Sequence, residues 1–560
     1  MEPRPSIAYF TMEIALDPRM PTYSGGLGVL AGDAVRSAAD LRLPMVGVTL
    51  LHRRGYFVQH LDGSGHQTES PEAWPVEDFL EELPARITLT IQDRRVGVRA
   101  WRRDVEGVGG ARVPVLFLDT DLPENEPPDR ELTHYLYGGD RRYRLCQEVV
   151  LGVGGVRILQ ALGYHEIARY HMNEGHAALL AAELLRQTMS LQGETSVTPD
   201  AIEAVRRKCV FTTHTPVPAG HDVFSLDLAR EVLGRHDALE VSGLFTHEGM
   251  LNMTYAALNL SHYVNGVAKR HGEVSRAMFG SHLVDAITNG VHLATWTAPA
   301  FRDLFDRYVP GWRADNASLR FAVHIQPDQI HAAHLRCKRE LLDRVKSLTG
   351  TELDAGTLTI GYGRRATAYK RPTLLLHDLA RLRHIAERVG KVQVVYAGKS
   401  HPNDQSGKEL IRDVFGSIAA LREAVPMVYL PNYDVELARL MAAGCDLWLN
   451  TPEPPMEASG TSGMKAAVNG VPSLSVLDGW WVEGCIEDVT GWSIGTSGDE
   501  HDRQRDAEAL YTKLEQTIVP IYYREPDRYV RVMQGAIVLN ASFFNTERMM
   551  HQYVTKAYFS

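Results

Sequence analysis

Residues 357–398 read TLTIGYGRRATAYKRPTLLLHDLARLRHIAERVGKVQVVYAG, and they set the class of the fold. An apolar segment, TLTIGYG, opens the stretch, and a second apolar segment, VQVVYAG, closes it. Between them, PTLLLHDLARLRHIAERV has the apolar spacing of a helix. Short buried strands that alternate with helices predict a parallel β-sheet with helices on both faces.

The alternation continues on both sides of this stretch. Later in the chain we predict strands at MVYLPN, DLWLNTP and SLSVL, with a helix at VELARLMAAG. Earlier we predict a strand at IAYFTMEI, a helix at AGDAVRSAADL, and strands at GGARVPVLFLDTDL, ARYHMN and CVFTTHT. The segment ARITLTIQDRRVGVRAW alternates around Gln92 and Asp93, which is typical of a β-hairpin. The predicted fold class is α/β, with two doubly wound, Rossmann-like domains that face each other across a cleft.

The chain has 560 residues, enough for two or three domains. A mainly helical, charged stretch between residues 295 and 355 separates the two alternating patterns. We therefore place one α/β domain, with the hairpin as an insertion, at residues 1–295 and a second at residues 296–530. Residues 531–560 are helical and aromatic, and we expect this segment to pack back on the first domain.

The composition excludes several classes of partner. The chain has 59 lysine and arginine residues against 69 aspartate and glutamate residues, so its formal charge of -10 gives no general attraction for nucleic acid or an anionic membrane. No apolar run reaches the roughly 18 residues that a membrane-spanning helix needs. The amino terminus has no secretory signal. We expect a cytoplasmic protein that binds neither nucleic acid nor membrane.

We also expect no metal site. The histidine-rich strings at residues 171–176 and 213–215 lack the HExxH spacing that places two imidazoles on one helical face. The five cysteines lie far apart and never form a CxxC pair, which argues against a disulfide framework and a thiolate zinc site. Buried free thiols are the prediction.

Residues 457–470, EASGTSGMKAAVNG, carry the most chemical information. Their run of small residues lets the backbone approach a ligand closely. A helix that begins there directs unpaired N–H groups and a positive dipole end toward an anion. Lys465 then has three possible roles, as a structural charge, a phosphate ligand or an amine activated for an imine. A simple capped helix start is the alternative to a binding site.

This segment resembles the cofactor-lysine segment of the α-glucan phosphorylases, the family that acts on glycogen, starch and maltodextrin. The resemblance implies the GT-B glycosyltransferase architecture, in which two Rossmann-like domains enclose the active site. It implies that Lys465 forms a Schiff base with pyridoxal 5′-phosphate, and that Gly460 and Thr461 help to seat the cofactor phosphate. It also implies that Glu457, Ser459 and Gly460 contact the sugar.

Two further segments resemble the same family in the same order along the chain. The loop at residues 23–28, YSGGLG, is similar to a glycine loop whose backbone approaches the substrate, which implies contacts at Gly26 and Leu27. Residues 261–268, SHYVNGVA, resemble the segment whose histidine binds the glucose and faces its anomeric carbon. The resemblance therefore assigns His262 to the catalytic and substrate-binding residues.

Polar residues elsewhere also match the family pattern. Asn289 lies in TNGV at residues 288–291, which resembles a stretch that supplies an asparagine to the sugar. Without the resemblance, this Asn-Gly pair reads equally well as an ordinary turn. Glu174 and His176 match polar residues where the acceptor end of the glucan lies in this family.

A basic cluster, GRRATAYKR at residues 363–371, directly follows the predicted strand TLTIGYG. Carboxyl ends of strands face the cleft of doubly wound folds, so an anion site is favoured there over a solvated charged surface. By resemblance, Arg365 and Lys370 hold inorganic phosphate or the phosphate of glucose 1-phosphate. Arg364 is implied to contact the cofactor phosphate.

The chain departs from the family pattern in this region. The family commonly has lysine in place of Arg364, and His-Glu in place of Thr367 and Ala368. Arginine keeps the positive charge but presents it as a planar fork, so the local geometry differs. Tyr433 corresponds to a tyrosine beside the cofactor ring, but Asp434 replaces an arginine.

The implied reaction is reversible phosphorolysis of an α-1,4-glucan. The terminal glucose leaves the non-reducing end and is captured by inorganic phosphate as α-glucose 1-phosphate, with retention of configuration. Two alternatives stay open, namely a nucleotide-sugar-dependent glucan synthase and a catalytically silent glucan-binding protein. The resemblance is to the compact prokaryotic form of the family, so we expect allosteric sites to be absent and a homodimer to be possible.

Overall fold

The computed structural model describes residues 5–217, 220–234, 243–496 and 502–559. Within these residues the strands are β1 (Ile7–Phe10), β2 (Met45–Leu50), β3 (Val58–Leu61), β4 (Gln67–Ser70), β5 (Glu81–Ile91), β6 (Arg94–Glu106), β7 (Arg112–Asp119), β8 (Arg169–Asn173), β9 (Cys209–Thr212), β10 (Val223–Ser225), β11 (Thr246–His247), β12 (Met250–Asn252), β13 (Tyr263–Gly266), β14 (Asp285–Ala286), β15 (Leu358–Gly363), β16 (Val392–Ala397), β17 (Met427–Leu430), β18 (Leu447–Asn450), β19 (Ser473–Val476) and β20 (Gly491–Ile494).

The α-helices of the same residues are Gly26–Asp40, Pro127–Arg130, Arg141–Val149, Gly155–Ala161, Leu179–Gln192, Pro199–Arg206, Leu226–Leu233, Met253–Asn259, Lys269–Phe279, Leu293–Trp296, Pro299–Tyr308, Pro327–Thr349, Leu379–His384, Gln405–Leu421, Val435–Gly444, Ser462–Ala467, Trp481–Gly484, Arg503–Lys513, Val519–Arg524, Pro526–Gly535 and Thr546–Tyr553. Strands and helices alternate through most of the chain, so the predicted mixed α/β class is confirmed. None of the helices in the described ranges is long and apolar enough to cross a membrane.

The first sheet has the strand order β14, β13, β9, β8, β1, β2, β7, β6, β5. β1 lies inside this sheet and pairs in parallel with β2 and β8, so that Ile7 stands opposite Met45 and Arg169. The antiparallel pairs of the sheet are β5 with β6 and β6 with β7. The carboxyl ends of the parallel strands therefore share one edge, and the chain reverses its winding direction beside β1.

The β-hairpin predicted around Gln92 and Asp93 is confirmed. β5 pairs with β6 in antiparallel register, and Ile91 stands opposite Arg94. Gln92 and Asp93 have φ angles of 52° and 58°. A two-residue turn of type I′ requires this left-handed conformation at both positions, which aspartate tolerates better than most residues. The hairpin extends one edge of the first sheet.

The second sheet is parallel throughout and has the strand order β17, β16, β15, β18, β19, β20. Five of its strands, β15 to β19, are those predicted from apolar segments, and all their residues are buried. The winding direction reverses between β15 and β18. Ligands of doubly wound sheets bind at such a reversal, beyond the carboxyl ends of the strands.

The helix predicted within residues 372–389 is divided in the structure. A 3₁₀ turn covers Leu374–Leu376, an α-helix covers Leu379–His384, and a π-helical turn follows at Ile385–Val389. Asp378 causes the division, because its side chain accepts a hydrogen bond from the Arg381 N–H and so starts a new helix.

The carboxyl-terminal helix Thr546–Tyr553 packs against elements of the first sheet. Met549, Met550 and Tyr553 belong to the same buried apolar cluster as Ile7 in β1. The hydroxyl of Thr546 lies 2.5 Å from the hydroxyl of Ser37 in the first helix of the chain. All five cysteines are free thiols, four of them buried, as predicted.

Candidate active site

A cavity of about 410 Å³ lies between the two sheets, at the carboxyl ends of their parallel strands. We call it the cleft cavity. Loops that follow β1, β8, β9, β13 and β14 of the first sheet contribute to its walls, as do loops that follow β15, β16, β17 and β18 of the second. The cavity brings together fourteen of the fifteen predicted site residues, namely Gly26, Leu27, Glu174, His176, Asn289, Arg364, Arg365, Lys370, Tyr433, Glu457, Ser459, Gly460, Thr461 and Lys465.

Lys465 lies in the short helix Ser462–Ala467, and its side chain is buried at the cavity wall. Its amine stands 4.3 Å from the centre of the Trp296 ring. Burial lowers the pKa of Lys465 to about 8; the charge of Asp33 opposes this shift and that of Arg439 adds to it. A substantial fraction of the amine is therefore neutral near physiological pH, as an amine that attacks a carbonyl must be.

The loop before this helix has polar groups suited to an anion. Gly460 has a φ of +79°, a left-handed conformation that glycine adopts without strain. A Cβ at this position would lie 3.3 Å from the Glu457 side chain, so glycine also keeps the loop close to that residue. Within the described residues, Ser459 Oγ and Arg364 Nη1 are buried and have no hydrogen-bond partner. Buried donors of this kind fit a phosphate group, which accepts several hydrogen bonds.

Glu457 joins the cationic loop after β15 to the loop after β18. Its Oε2 accepts hydrogen bonds from Arg364 Nη2 and from Lys370 Nζ, each at 2.5 Å. Burial alone would raise the pKa of Glu457, but the charges of Arg364 and Lys370 outweigh it and hold the pKa at about 2. Arg365, by contrast, is exposed to solvent and has no ion pair among the described residues. The wall therefore offers one unpaired guanidinium beside a buried ionic cluster.

Asp434, which departs from the family pattern, and its neighbour Tyr433, which matches it, both have local structural roles. Asp434 accepts a hydrogen bond from the Leu437 N–H at 2.8 Å and caps the helix Val435–Gly444. Tyr433 packs on Gly363, where an added Cβ would lie 2.8 Å from the tyrosine oxygen. The Asp434 carboxylate thus has a partner as a helix cap. The position of the Tyr433 ring requires a residue without a side chain at Gly363, the last residue of β15.

Glu174 and His214 form a second polar wall on the side of the first sheet. Glu174 follows β8 and has a φ of +78°, which is unusual for a residue with a side chain. Its Oε2 accepts hydrogen bonds from the His214 N–H at 2.7 Å and from the Thr215 hydroxyl at 2.9 Å. His214 Nε2 lies 2.7 Å from Asn173 Oδ1. Two loops that follow adjacent strands are therefore held together at the cavity.

His176 belongs to a compact ionic cluster at the cavity edge. Side-chain atoms of Glu148, His176 and Asp222 lie within 4.8 Å of one another. Arg144 lies among them, with Nη2 at 2.7 Å from His176 Nδ1 and 3.0 Å from Asp222 Oδ2, and Nε at 3.1 Å from Glu148. The guanidinium supplies the positive charge that these carboxylates need, so the cluster is explained as an ion-pair network.

Asn289 is held in place by the carboxyl-terminal segment. Arg548 donates hydrogen bonds to the backbone carbonyls of Thr288 at 2.5 Å and Asn289 at 2.9 Å. A Cβ at Gly290 would lie 2.2 Å from the Asn545 backbone, so this contact requires glycine. The Asn289 side chain is buried at the cavity wall, and its Oδ1 has no partner within the described residues.

The structure does not bring His262 to the cleft cavity. β13 begins at Tyr263, so His262 lies at the amino end of this strand, whereas Val267 reaches the cavity beyond the carboxyl end. Burial and the nearby Arg169 guanidinium lower the pKa of His262. His262 is therefore the one predicted site residue that does not line the cleft cavity.

Several lining residues were missed from the sequence. His214 and Glu13 both lie shortly after the carboxyl ends of strands, β9 and β1, but the predicted strands extended over both residues and so hid this position. Glu13 Oε2 accepts a hydrogen bond from the Ser24 N–H at 2.6 Å, and Oε1 accepts one from the Tyr137 hydroxyl at 2.8 Å. Glu13 thus fixes the glycine loop that contains Gly26.

Comparison with known proteins gives a consistent result. A family model described as carbohydrate phosphorylase matches residues 237–502. The chain is 39% identical over 594 residues to a maltodextrin phosphorylase from Thermococcus litoralis, covering 99% of this chain and 70% of that protein. It is 36% identical over 624 residues to a glycogen phosphorylase from Mycobacterium bovis, with the same coverage. It is 34% identical over 605 residues to a glycogen phosphorylase from Aquifex aeolicus, covering 99% of this chain and 86% of that protein.

Proposed function

Because this chain belongs to the carbohydrate phosphorylase family, we propose that its cleft cavity catalyses the reversible phosphorolysis of α-1,4-glucans. The enzyme is then a glycosyltransferase that transfers the terminal glucose of maltodextrin or glycogen to inorganic phosphate. The product is α-glucose 1-phosphate, formed with retention of configuration. The observation that carries the proposal is that Arg364, Arg365, Lys370 and the buried amine of Lys465 line one cavity.

Pyridoxal 5′-phosphate is the cofactor that this cavity fits. Lys465 would hold it through the side-chain amine, and the low pKa of that amine favours attachment to an aldehyde. Gly460, Thr461 and the unpartnered Nη1 of Arg364 would receive its phosphate, and Tyr433 would lie beside its ring. When bound, the cofactor supplies a phosphate group that serves as acid and base close to the substrate phosphate.

The cations of the loop after β15 have the task of holding the substrate phosphate. Two phosphate groups that lie close together repel each other, and positive side chains offset this repulsion. Arg365 is exposed and unpaired among the described residues, so it is free to bind an anion. Lys370 already donates to Glu457, so an incoming phosphate competes with that carboxylate for its amine.

The sugar and the acceptor glucan use the remaining walls. Glu457, Ser459, Asn289 and the backbone at Gly26 and Leu27 surround the position of the transferred glucose. We assign the histidine contact to His214 rather than His262, because His214 follows β9 at the cavity while His262 lies at the other end of the sheet.

Glu174 and His176 lie where the acceptor end of the glucan would enter. Both have fixed orientations, because Glu174 accepts from the His214 N–H and His176 lies 2.9 Å from Asp222. Side chains held in this way can orient sugar hydroxyl groups without first losing rotamer freedom.

The two sheets correspond to the two domains of a GT-B architecture in our proposal. Residues 1–295 form the domain on the glucan side, and residues 296–530 form the domain that holds the cofactor. Residues 531–560 return to the first domain, which the contact between Thr546 and Ser37 supports. Assembly as a homodimer and a cytoplasmic location stay predictions from the sequence.

Two measurements test the proposed function. Incubation with maltodextrin should release glucose 1-phosphate only when phosphate is present, whereas a glucan synthase would transfer glucose from a nucleotide sugar. Borohydride reduction of the purified protein followed by peptide mapping should place the cofactor on the peptide that contains Lys465. A protein that binds maltodextrin but gives neither result is a silent glucan-binding protein, and the proposal is then wrong.

A further inference from the structure

We infer that Gln59 and Gln67 are positioning residues that shape the phosphate-binding loops from the opposite side of the cleft. Neither glutamine lines the cleft cavity within the described structure. They lie in β3 and β4, a two-stranded hairpin separate from both large sheets. The inference rests on the proposed function, because it takes the loop of Arg364 and Arg365 to be the phosphate site.

The two glutamine side chains form one buried hydrogen-bonded unit, which we call the glutamine clasp. Each residue is only 2% exposed. Gln59 Nε2 donates to Gln67 Oε1 at 2.8 Å. Burying two amides is costly unless their hydrogen-bonding groups are satisfied, so the partners of the remaining groups decide what the clasp does.

All but one of those partners lie in loops of the second sheet; the exception is Glu69 in β4, whose Oε1 accepts a hydrogen bond from Gln67 Nε2 at 2.7 Å. Gln59 Nε2 also donates to the Gly398 carbonyl at 2.9 Å, and Gln59 Oε1 accepts from the Asn432 N–H at 2.8 Å. Gln67 Nε2 donates to the Ser400 carbonyl at 2.8 Å, and Gln67 Oε1 accepts from the Ser400 N–H at 3.0 Å. The clasp therefore binds the backbones that follow β16 and β17.

The backbone after β16 in turn supports the cationic loop after β15. The Arg364 N–H donates to the Ala397 carbonyl at 3.1 Å, and the Ala366 N–H donates to the Lys399 carbonyl at 3.0 Å. A Cβ at Gly398 would lie 1.9 Å from the Arg364 carbonyl oxygen, so the two loops are in close backbone contact. Any shift of residues 398–400 therefore moves the backbone of Arg364 and Arg365.

The second loop held by the clasp leads directly to the cofactor wall. Asn432 has a φ of +53° and precedes Tyr433, which lines the cleft cavity. Its side-chain Oδ1 accepts a hydrogen bond from the Gln59 N–H at 3.2 Å. One hairpin from the first part of the chain thus fixes the backbone at two loops that line the same cavity. The clasp forms only when the hairpin lies against the second sheet, so the backbone of both loops depends on this contact.

The hairpin also provides a control, namely a contact that holds it against the second sheet without belonging to the glutamine clasp. Glu69 in β4 forms an ion pair with Lys408 of the helix Gln405–Leu421 at 2.7 Å. This pair joins the hairpin to the second sheet without a hydrogen bond to residues 398–400 or 432 among the described contacts. Lys408→Met removes the ion pair and keeps every hydrogen bond of the two glutamines, including the one from Gln67 Nε2 to Glu69 Oε1.

The experiment compares Gln67→Leu and Lys408→Met in the cofactor-loaded enzyme. Gln67→Leu leaves the Ser400 carbonyl and N–H without their partner, so we expect the KM for phosphate to rise about tenfold. The KM for maltodextrin should change less than about twofold, because Glu174 and His176, which we assign to the acceptor glucan, follow β8 of the first sheet. Lys408→Met should leave both constants within about twofold. Inorganic phosphate should raise the thermal midpoint of the wild type and of Lys408→Met, but raise that of Gln67→Leu less.

Defined outcomes overturn the inference. It is wrong if Gln67→Leu folds, binds cofactor and keeps the wild-type KM for phosphate, or if both KM values rise together. Should Gln67→Leu fail to fold, Gln67→Met carries the same expectations, since its unbranched side chain is similar in size to glutamine and lacks both the oxygen and the amide nitrogen that bind Ser400. Arg365→Ala separates this result from failure of the proposed function. If Arg365→Ala leaves phosphate use unchanged, the phosphate site itself has been misassigned.

Discussion

Lys370 Nζ donates a hydrogen bond to Glu457 Oε2 at 2.5 Å, and both side chains are buried. The pKa of Glu457 is about 2, below its ordinary value of 4.5. A carboxylate with a lowered pKa stabilises the fold above pH 4.5, and this contribution is lost as the pH falls toward 2. We therefore expect Glu457→Gln to lower the free energy of unfolding at pH 7, by about 3–5 kcal/mol, since two buried cations lose their partner.

The pH dependence of Glu457→Gln distinguishes this charge effect from a packing defect. The difference in free energy of unfolding between wild type and variant should shrink as the pH falls from 4.5 toward 3, because the unfolded wild-type chain takes up a proton at Glu457 in this range while the folded protein keeps the charged carboxylate. Urea denaturation at several pH values measures it. A difference that stays constant across this range would contradict the role of the charge.

Lys370→Ala tests the phosphate contact directly. We expect the variant to raise the KM for phosphate by about a hundredfold or more, because a charge-assisted hydrogen bond to a phosphate oxygen is lost. The KM for maltodextrin should change much less. Initial rates measured with each substrate varied in turn give both constants. Equal losses for phosphate and glucan would show that Lys370 supports the whole cavity rather than the anion.

Lys465 gives a prediction for cofactor uptake. Burial lowers the pKa of its amine to about 8. Only the neutral amine attacks an aldehyde, so the rate at which apoenzyme takes up pyridoxal 5′-phosphate should rise with pH to about 8 and then level off. Absorbance of the bound cofactor follows the reaction. Asp33→Asn should move the plateau to lower pH, because the charge of Asp33 raises the pKa of Lys465. A rate that rises tenfold per pH unit up to pH 10 would exclude a lowered pKa.

Substitution distinguishes His214 from His262 as the histidine that contacts the sugar. His214→Ala should lower kcat/KM by about a hundredfold, because the variant removes an imidazole that lines the cleft cavity and is held with Nε2 at 2.7 Å from Asn173 Oδ1. His262→Ala should change it less than about threefold, since His262 lies at the far end of β13. If His262→Ala lowers kcat/KM more than His214→Ala does, the result supports the role that the sequence assigned to His262.

The position of His262 shows which part of the site the sequence could not supply. The resemblance of the segment SHYVNGVA assigned a role to His262, but such a match does not tell where a strand begins. β13 starts at Tyr263, and a shift of four residues along a strand moves a side chain from one edge of the sheet to the other. His214 lies inside the predicted strand CVFTTHT, and only the observed end of β9 at Thr212 places it beyond the sheet edge, where doubly wound sheets bind ligands.

The second sheet was predictable because its strands are buried on both faces and therefore read as apolar runs. The hairpin of β3 and β4 was not predicted, because strands of four residues with glutamine, histidine and threonine have no apolar pattern. Its two glutamines are polar residues that become buried only through contacts with loops more than 300 residues away. Such contacts depend on the tertiary structure, which local sequence does not encode.

The contacts of Arg548 mean that the cleft is completed only after the end of the chain has been synthesised. Its guanidinium holds the Thr288 and Asn289 carbonyls, and Asn545 lies against Gly290. Domains of a growing chain generally fold as soon as they have been made, from the amino end onward. The first sheet can therefore form early on the ribosome, but Asn289 gains its support only after residue 548 has been translated. A polypeptide interrupted before that point would retain most of its secondary structure and lack the contacts that hold the backbone of Asn289 at the cavity wall.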